Sequence, residues 1–211
     1  ACTGIDALAH ALESAVTRKK CDLSNRHARI AFQLLNQSLP MVFEDPTKIR
    51  ARGGALLGAS HAGAAIEQSM LGAAHSMANP LTAKYGTLHG IAVGLALPWI
   101  MKFNMEEIEC RKIYANFARV AGLCNDGCTD TEGAETLINR VEELLRLAKI
   151  STYHHGLDFK KSAITELAVS ASKQWTAGFN PRPIGCDDFE ILYGHLFENF
   201  SPAPRISVDL V

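Results

Sequence analysis

Thr3-Gly-Ile-Asp-Ala-Leu-Ala-His-Ala-Leu-Glu13 sets a carboxylate, Asp6, four residues ahead of an imidazole, His10. On a helix that spacing puts the two on one face, one turn apart. A second stretch, Gly72-Ala-Ala-His-Ser-Met-Ala-Asn-Pro-Leu-Thr-Ala-Lys-Tyr-Gly-Thr-Leu-His-Gly90, carries His75 and His89 on either side of a Pro and a Gly that can turn the chain back on itself. One carboxylate and three neutral imidazoles suit a divalent first-row metal, Fe(II) or Zn(II), better than Mg or Ca, which prefer all-oxygen shells. Taken one at a time these residues are ordinary. A helical Asp-x-x-x-His pair is by default a surface ion pair, His75 a hydrogen-bonded core histidine, and His89 a residue at a helix start.

Outward from these stretches the pattern is helical almost everywhere. The spacing predicts a helix over 6–18 with Thr3 as a cap, and another over 25–43, where Ile30, Leu34, Leu35 and Leu39 recur. Asp45-Pro46 opens a third, reaching about Met70 and rich in Gly and Ala (Gly53, Gly54, Gly58, Ala62, Gly63). Small residues over several turns predict a buried central helix against which neighbours pack closely. A short helix over 72–79 should stop before Pro80. Further helices are predicted over 89–103, 105–122, 130–148, 159–175 and 186–199, the first of them apolar and opening with His89. No alternation long enough for a core strand is present, and 207–211 is too isolated to count. The fold class is therefore all-α, a helical bundle. The helical domain is expected over 1–195, its N-terminal half carrying the site, with 196–211 as a tail.

Composition narrows the function classes. A chain of 211 residues with 21 basic and 22 acidic side chains has no electrostatic reason to bind nucleic acid or an acidic membrane surface. Its most apolar run, residues 90–103, is too short to cross a bilayer and contains Pro98. Of six cysteines only Cys124 and Cys128 are close in sequence. They could form a disulfide or half a zinc site, but no second pair lies at structural-zinc spacing, and reduced thiols in a cytoplasmic protein are expected. There is no Gly-x-Ser-x-Gly elbow, no His-Glu-x-x-His helix and no P-loop. Lys84, Tyr85 and Thr87, between two candidate ligands, either touch a substrate or shape the turn. His61 is a candidate pocket residue, whereas His27, His154, His155 and His195 are expected in solvent. Arg182 is expected to anchor backbone carbonyls, and Trp175 and Phe179 to lie in the core.

The two signatures resemble those of the iron-containing, group III alcohol dehydrogenases. The resemblance is to the C-terminal helical domain of that dehydroquinate synthase-like fold. It covers residues 1 to about 195 in the family's order, and Asn180-Pro-Arg-Pro183 is similar to another recurring segment. It implies that Asp6, His10, His75 and His89 bind the metal, Fe(II) in the family's name. Zn(II) binds such ligands more tightly, so purified material could contain zinc, nickel or no metal. It also implies hydride transfer between a small alcohol or aldehyde and NAD or NADP, with the metal as Lewis acid. Two departures matter. Asn79 stands where many members carry a further histidine; it can hydrogen-bond a substrate but cannot take up a proton near neutral pH. The family's dinucleotide-binding half has no counterpart here, because the Gly-containing stretches sit in helical surroundings with no preceding strand. The chain is thus expected to be a fragment or isolated domain, inactive alone, whose uncovered face could drive homo-oligomer formation. The competing readings are a non-catalytic helical module that binds metal or mediates oligomerisation, and a polyol or sugar-phosphate dehydrogenase relative.

Overall fold

The computed structural model describes residues 1–150 and 160–198. The expectations placed on His154, His155, the helix start at Phe159 and residues 207–211 lie outside the described residues. Nine α-helices and no strand are found among the described residues: α1 Cys2–Val16, α2 Asp22–Glu44, α3 Ile49–Glu67, α4 Ala73–Tyr85, α5 His89–Asn104, α6 Ile108–Val120, α7 Asp130–Leu147, α8 Ile164–Ser172 and α9 Cys186–Glu198. Two 3₁₀ turns, Lys161–Ala163 and Trp175–Phe179, flank α8, so the region expected as one helix to 175 is broken in two places.

The central element is α1. Ile5, Leu8, Ala9, Ala11 and Leu12 are fully buried or nearly so, and the helix packs on α2, α3 and α5. It begins at Cys2, four residues earlier than its apolar spacing suggests, which places Thr3 inside the helix and not at its cap. Small residues explain the packing: a Cβ on Gly4 would meet Leu39 Cδ2 at 2.6 Å, and one on Gly90 would meet the Cys2 carbonyl oxygen at 2.3 Å. Gly90 thus lets the start of α5 lie directly against the start of α1.

The Gly/Ala-rich helix α3 is not the buried centre. Its small residues serve one face only: Gly54 and Gly58 admit Ser38, Leu34 and Leu35 of α2, while Leu56 is 74% exposed on the other side. Residue size sets how closely a helix can be approached but not from how many directions. A cysteine opens α2: the Cys21 side chain accepts from Ser24 N–H and the Ser24 hydroxyl oxygen accepts from Cys21 N–H, a reciprocal capping box.

The short helix expected to stop at Pro80 instead runs through it to Tyr85 and ends on Gly86 in the left-handed conformation, φ 63°. Interior proline costs about 3 kcal/mol. Met77, Ala78 and Leu81 are all fully buried around it, and burying each large apolar side chain returns about 1.5–3 kcal/mol, so packing wins over the local restriction. At the other end of the chain α8 and α9 pack together and against α4 and α5, respectively, and bring the Asn180–Pro183 segment to the first turn of α4. Leu196 and Phe197 of α9 are buried, so the packed body extends past residue 195. No described helix is long and apolar enough to cross a membrane.

Candidate metal centre

Asp6 and His10 project from one face of α1, as their spacing predicts, and α4 brings His75 over that face while α5 starts with His89. All three imidazole Nε2 atoms face one carboxylate oxygen, Asp6 Oδ1: His75 at 3.3 Å, His10 at 3.5 Å and His89 at 3.7 Å. Ligand atoms of Asp6, His10 and His75 lie within 4.8 Å of one another; His89 stands outside that set, on the open side, with 40% of its side chain exposed. Ligands about 2.1 Å from a tetrahedral ion sit roughly 3.4 Å apart, so these separations have the scale of atoms facing each other across a metal.

Two of those atoms lack any other partner. Asp6 Oδ1 and His75 Nε2 are buried and make no hydrogen bond, because the 3.3 Å approach between them is misaligned for one. A buried acceptor left unmatched is costly, and a cation between the two would satisfy both. The cluster shifts its own members in different directions. Burial pushes the Asp6 carboxyl up, but the close approach of His75 and the fields of His10, His75 and His89 bring it below the usual carboxylate value. His10 is lowered, chiefly by burial. His75 is opposed by burial, yet Glu13 and Asp6 raise it to about 9.

Glu13 is the functional residue that reading the sequence missed. It lies three residues after His10 and seven after Asp6, on the same face of α1, and is only 4% exposed. Its Oε2 accepts from His75 Nδ1 at 2.5 Å and its Oε1 accepts from Ala74 N–H at 2.7 Å. Asn180 meets the adjacent amide: its Oδ1 accepts from Ala73 N–H at 3.3 Å and from Asn104 Nδ2 at 3.1 Å. The first turn of α4, whose own N-cap Gly72 has no side chain to offer, is therefore capped from two distant segments. The i, i+7 spacing was the available signal for Glu13; its partner on α4 was not visible in one dimension.

Asn79, one turn beyond His75, donates its Nδ2 to Gln174 Oε1 at 3.0 Å. Lys84 does not reach the ligands but pairs with Glu166 of α8. Thr87, two residues before His89, is buried with its hydroxyl unpartnered. His61 meets His27, Nδ1 to Nδ1 at 2.8 Å, on the α2–α3 contact, so His27 is half-buried and paired, contrary to expectation. His195 is exposed but stacks on Trp99 at 5.3 Å between centroids. Trp175 is 66% exposed and not part of the core; a 3₁₀ turn carries it outward and buries Thr176 and Ala177 instead. Arg182 donates to the Phe103 carbonyl at 2.9 Å and lies over the Phe103 ring, the anchoring geometry expected of it. Cys124 and Cys128 are free thiols 2.8 Å apart.

Comparison with known proteins identifies the family and the fold. Residues 1–197 match the model of the Fe-containing alcohol dehydrogenase family, C-terminal part. The chain is 32% identical over 184 residues to the 1-propanol dehydrogenase of Citrobacter freundii, which covers 85% of this chain and 50% of that protein. It is 31% identical over 198 residues to the NADPH-dependent butanol dehydrogenase of Clostridium saccharobutylicum, covering 90% of this chain and 49% of that one. The crystal structure of a 1,3-propanediol oxidoreductase superposes with a TM-score of 0.88 at 26% identity, over 93% of this chain and 51% of the other. The chain spans about half the length of the curated relatives it matches. It belongs to the Fe-containing alcohol dehydrogenase family and constitutes that family's all-helical C-terminal domain.

Proposed function

We propose that Asp6, His10, His75 and His89 hold one divalent metal ion, and that the chain is the metal-bearing part of a nicotinamide-dependent dehydrogenase acting on small alcohols and aldehydes. The observation that carries the reading is the convergence of three imidazole nitrogens on the orphaned Asp6 Oδ1, with His75 Nε2 equally orphaned. Metal of this kind, when bound, supplies Lewis acidity toward the oxygen of an alcohol or carbonyl. The donor set is compatible with Fe(II), and Zn(II) would compete for it in purified material.

The rest of the chemistry belongs to the chain's own side chains. Buried His75 and the inaccessible Oδ1 of the partly exposed Asp6 form the inner wall. The partly exposed His89 borders the side from which a substrate can enter. Asn79 gives its N–H to Gln174 and keeps its carbonyl oxygen as an acceptor, so it can orient a hydroxyl but cannot carry a proton away. Hydride transfer needs a nicotinamide, and the described residues contain no strand, hence no strand–turn–helix phosphate cradle. The nicotinamide is expected to be held by a part of the protein other than these helices; the butanol dehydrogenase relative is named as NADPH-dependent. The 211-residue chain alone is expected not to oxidise alcohols.

The test is metal content after anaerobic preparation with Fe(II), wild type against His75→Ala. Close to one ion per wild-type chain and none in the variant supports the site. No ion in either removes the metal reading. NAD(P)-dependent turnover by the purified 211-residue chain would sink the claim that it is incomplete as an enzyme.

A further inference from the structure

We infer that Glu13 is the positioning residue of this centre: by binding His75 Nδ1 and the first turn of α4 together, it fixes which nitrogen of His75 faces the ion. The inference rests on the metal reading above. It concerns a residue that touches neither substrate nor ion.

Three observations carry it. Glu13 is nearly inaccessible, and both its oxygens are engaged, one by the His75 ring and one by the Ala74 amide next to it. A carboxylate offers acceptors only, so the proton held by Glu13 stays on Nδ1, and the proton released to an arriving ion is the one on Nε2, the atom turned toward Asp6. Space has been left for this arrangement: a Cβ on Gly72 would come within 3.0 Å of Glu13 Oε1. Because the same side chain holds α4 by its N-terminal amide, it also sets the height of His75 above the two ligands on α1. A negative charge at that helix end is favourable in its own right, which is the merely structural role the test has to separate.

Glutamine at this position separates the two roles. It has one acceptor and one donor where glutamate has two acceptors. In Glu13→Gln the carbonyl oxygen can serve Ala74 N–H or His75 Nδ1–H, but not both. If it keeps the helix cap, the amide donor faces Nδ1 and drives the proton to Nε2, where it blocks coordination. If it keeps the ring, the cap is lost. Asn180→Ala is the control, since it removes the Ala73 cap of the same turn without touching His75.

The experiment is titration of the metal-free 211-residue protein with Zn(II) and with Co(II), reading affinity and the visible Co(II) spectrum. Glu13→Gln is expected to bind about 10–100-fold more weakly, the range for loss of an outer partner of a ligating histidine, with an altered Co(II) spectrum. Asn180→Ala should lose less than a third as much affinity and keep the wild-type spectrum. Equal losses in both variants, or wild-type binding in Glu13→Gln, would overturn the inference and leave the metal site standing. Should Glu13→Gln fail to fold, side-chain nitrogen NMR of zinc-loaded wild type decides alone. A protected Nδ1–H with metal on Nε2 of His75 is required, and metal on Nδ1 refutes it. A wild type that binds neither ion fails at the earlier step, which is visible before any variant is made.

Discussion

His75 and His89 were assigned the same role from the same stretch of sequence, yet the starts of α4 and α5 that carry them are built differently. At α4 every device fixes the side chain. Glu13 and Asn180 cap consecutive amides, the Ser76 hydroxyl lies 2.7 Å from that of Thr176, and His75 is 3% exposed. At α5 the N-cap Leu88 offers no side-chain bond and is itself exposed, and His89 reaches in from the first helical residue. What holds the start of α5 is close packing, Gly90 against the Cys2 backbone with Ile91, Ala92 and Val93 buried behind it, not a hydrogen-bond network around His89. The proposed centre thus combines a buried, doubly capped wall with a partly exposed one, and a metal site that admits substrate would use both, one to set geometry and one to give access.

The largest expected effect tests that asymmetry. His75→Ala should weaken Zn(II) binding more than 100-fold, beyond what loss of an outer partner produces. His89→Ala should weaken it by about tenfold, roughly 1.4 kcal/mol. Isothermal titration of both variants measures the gap. Equal losses would show that the exposed histidine is as firmly committed as the buried one, and the two-wall picture would fall.

Next in size is Gly90→Ala. The added methyl meets the Cys2 carbonyl oxygen and carbon at 2.3 and 2.7 Å, main-chain atoms that no rotamer change can move aside. Overpacking of this kind costs about 1–3 kcal/mol, and the upper end is expected. Because the strain separates α5 from α1, metal affinity should fall along with the denaturation midpoint. Loss of stability with full metal affinity would mean that His89 contributes little to the ion.

His75 also gives the two processes opposite pH dependences. Its value in the folded, metal-free protein is raised to about 9, because Glu13 and Asp6 outweigh the burial that opposes them. A raised folded value means the protonated ring stabilises the fold; that contribution is full below the unfolded value near 6.5 and is lost as pH climbs through 9. Metal binding must displace the same proton, so affinity rises across that window. Chemical denaturation of metal-free protein and Zn(II) titration, each at pH 6.5, 7.5 and 8.5, should therefore slope in opposite directions. A metal-free stability that rises with pH would remove Glu13 and Asp6 as the dominant influence on this ring.

Much of this was readable before the fold was known, for reasons that also mark the boundary. Asp6 and His10 are linked by one turn of one helix, so their common face is a local property, and the 3.6-residue periodicity that makes the chain all-α is local too. Glu13 obeys the same rule, but its importance comes from Ala74 and His75, more than sixty residues away, and nothing local announces them. Pro80 shows the converse. The local rule said stop, and the buried Met77, Ala78 and Leu81 overruled it. The His27–His61 pair and the outward Trp175 fail for one reason: exposure is decided by which helix arrives on the other side, and that is tertiary information.

Lys84 supplies the smallest effect and the sharpest limit on the site. It lies between two candidate ligands in sequence, which made it a candidate substrate contact, yet its ammonium pairs with Glu166 on α8. The Glu166 side chain is mostly exposed, and exposed pairs of this kind contribute about 0.2–1 kcal/mol. Lys84→Met should accordingly lower stability by no more than about 0.5 kcal/mol. Metal affinity should stay at the wild-type value, since none of the atoms around Asp6 Oδ1 loses a partner. A change of more than threefold in Zn(II) affinity for this variant would mean that the charge at the far end of α4 is felt at its start. The boundary of the centre would then lie beyond the first turn, where the contacts of Glu13 and Asn180 place it.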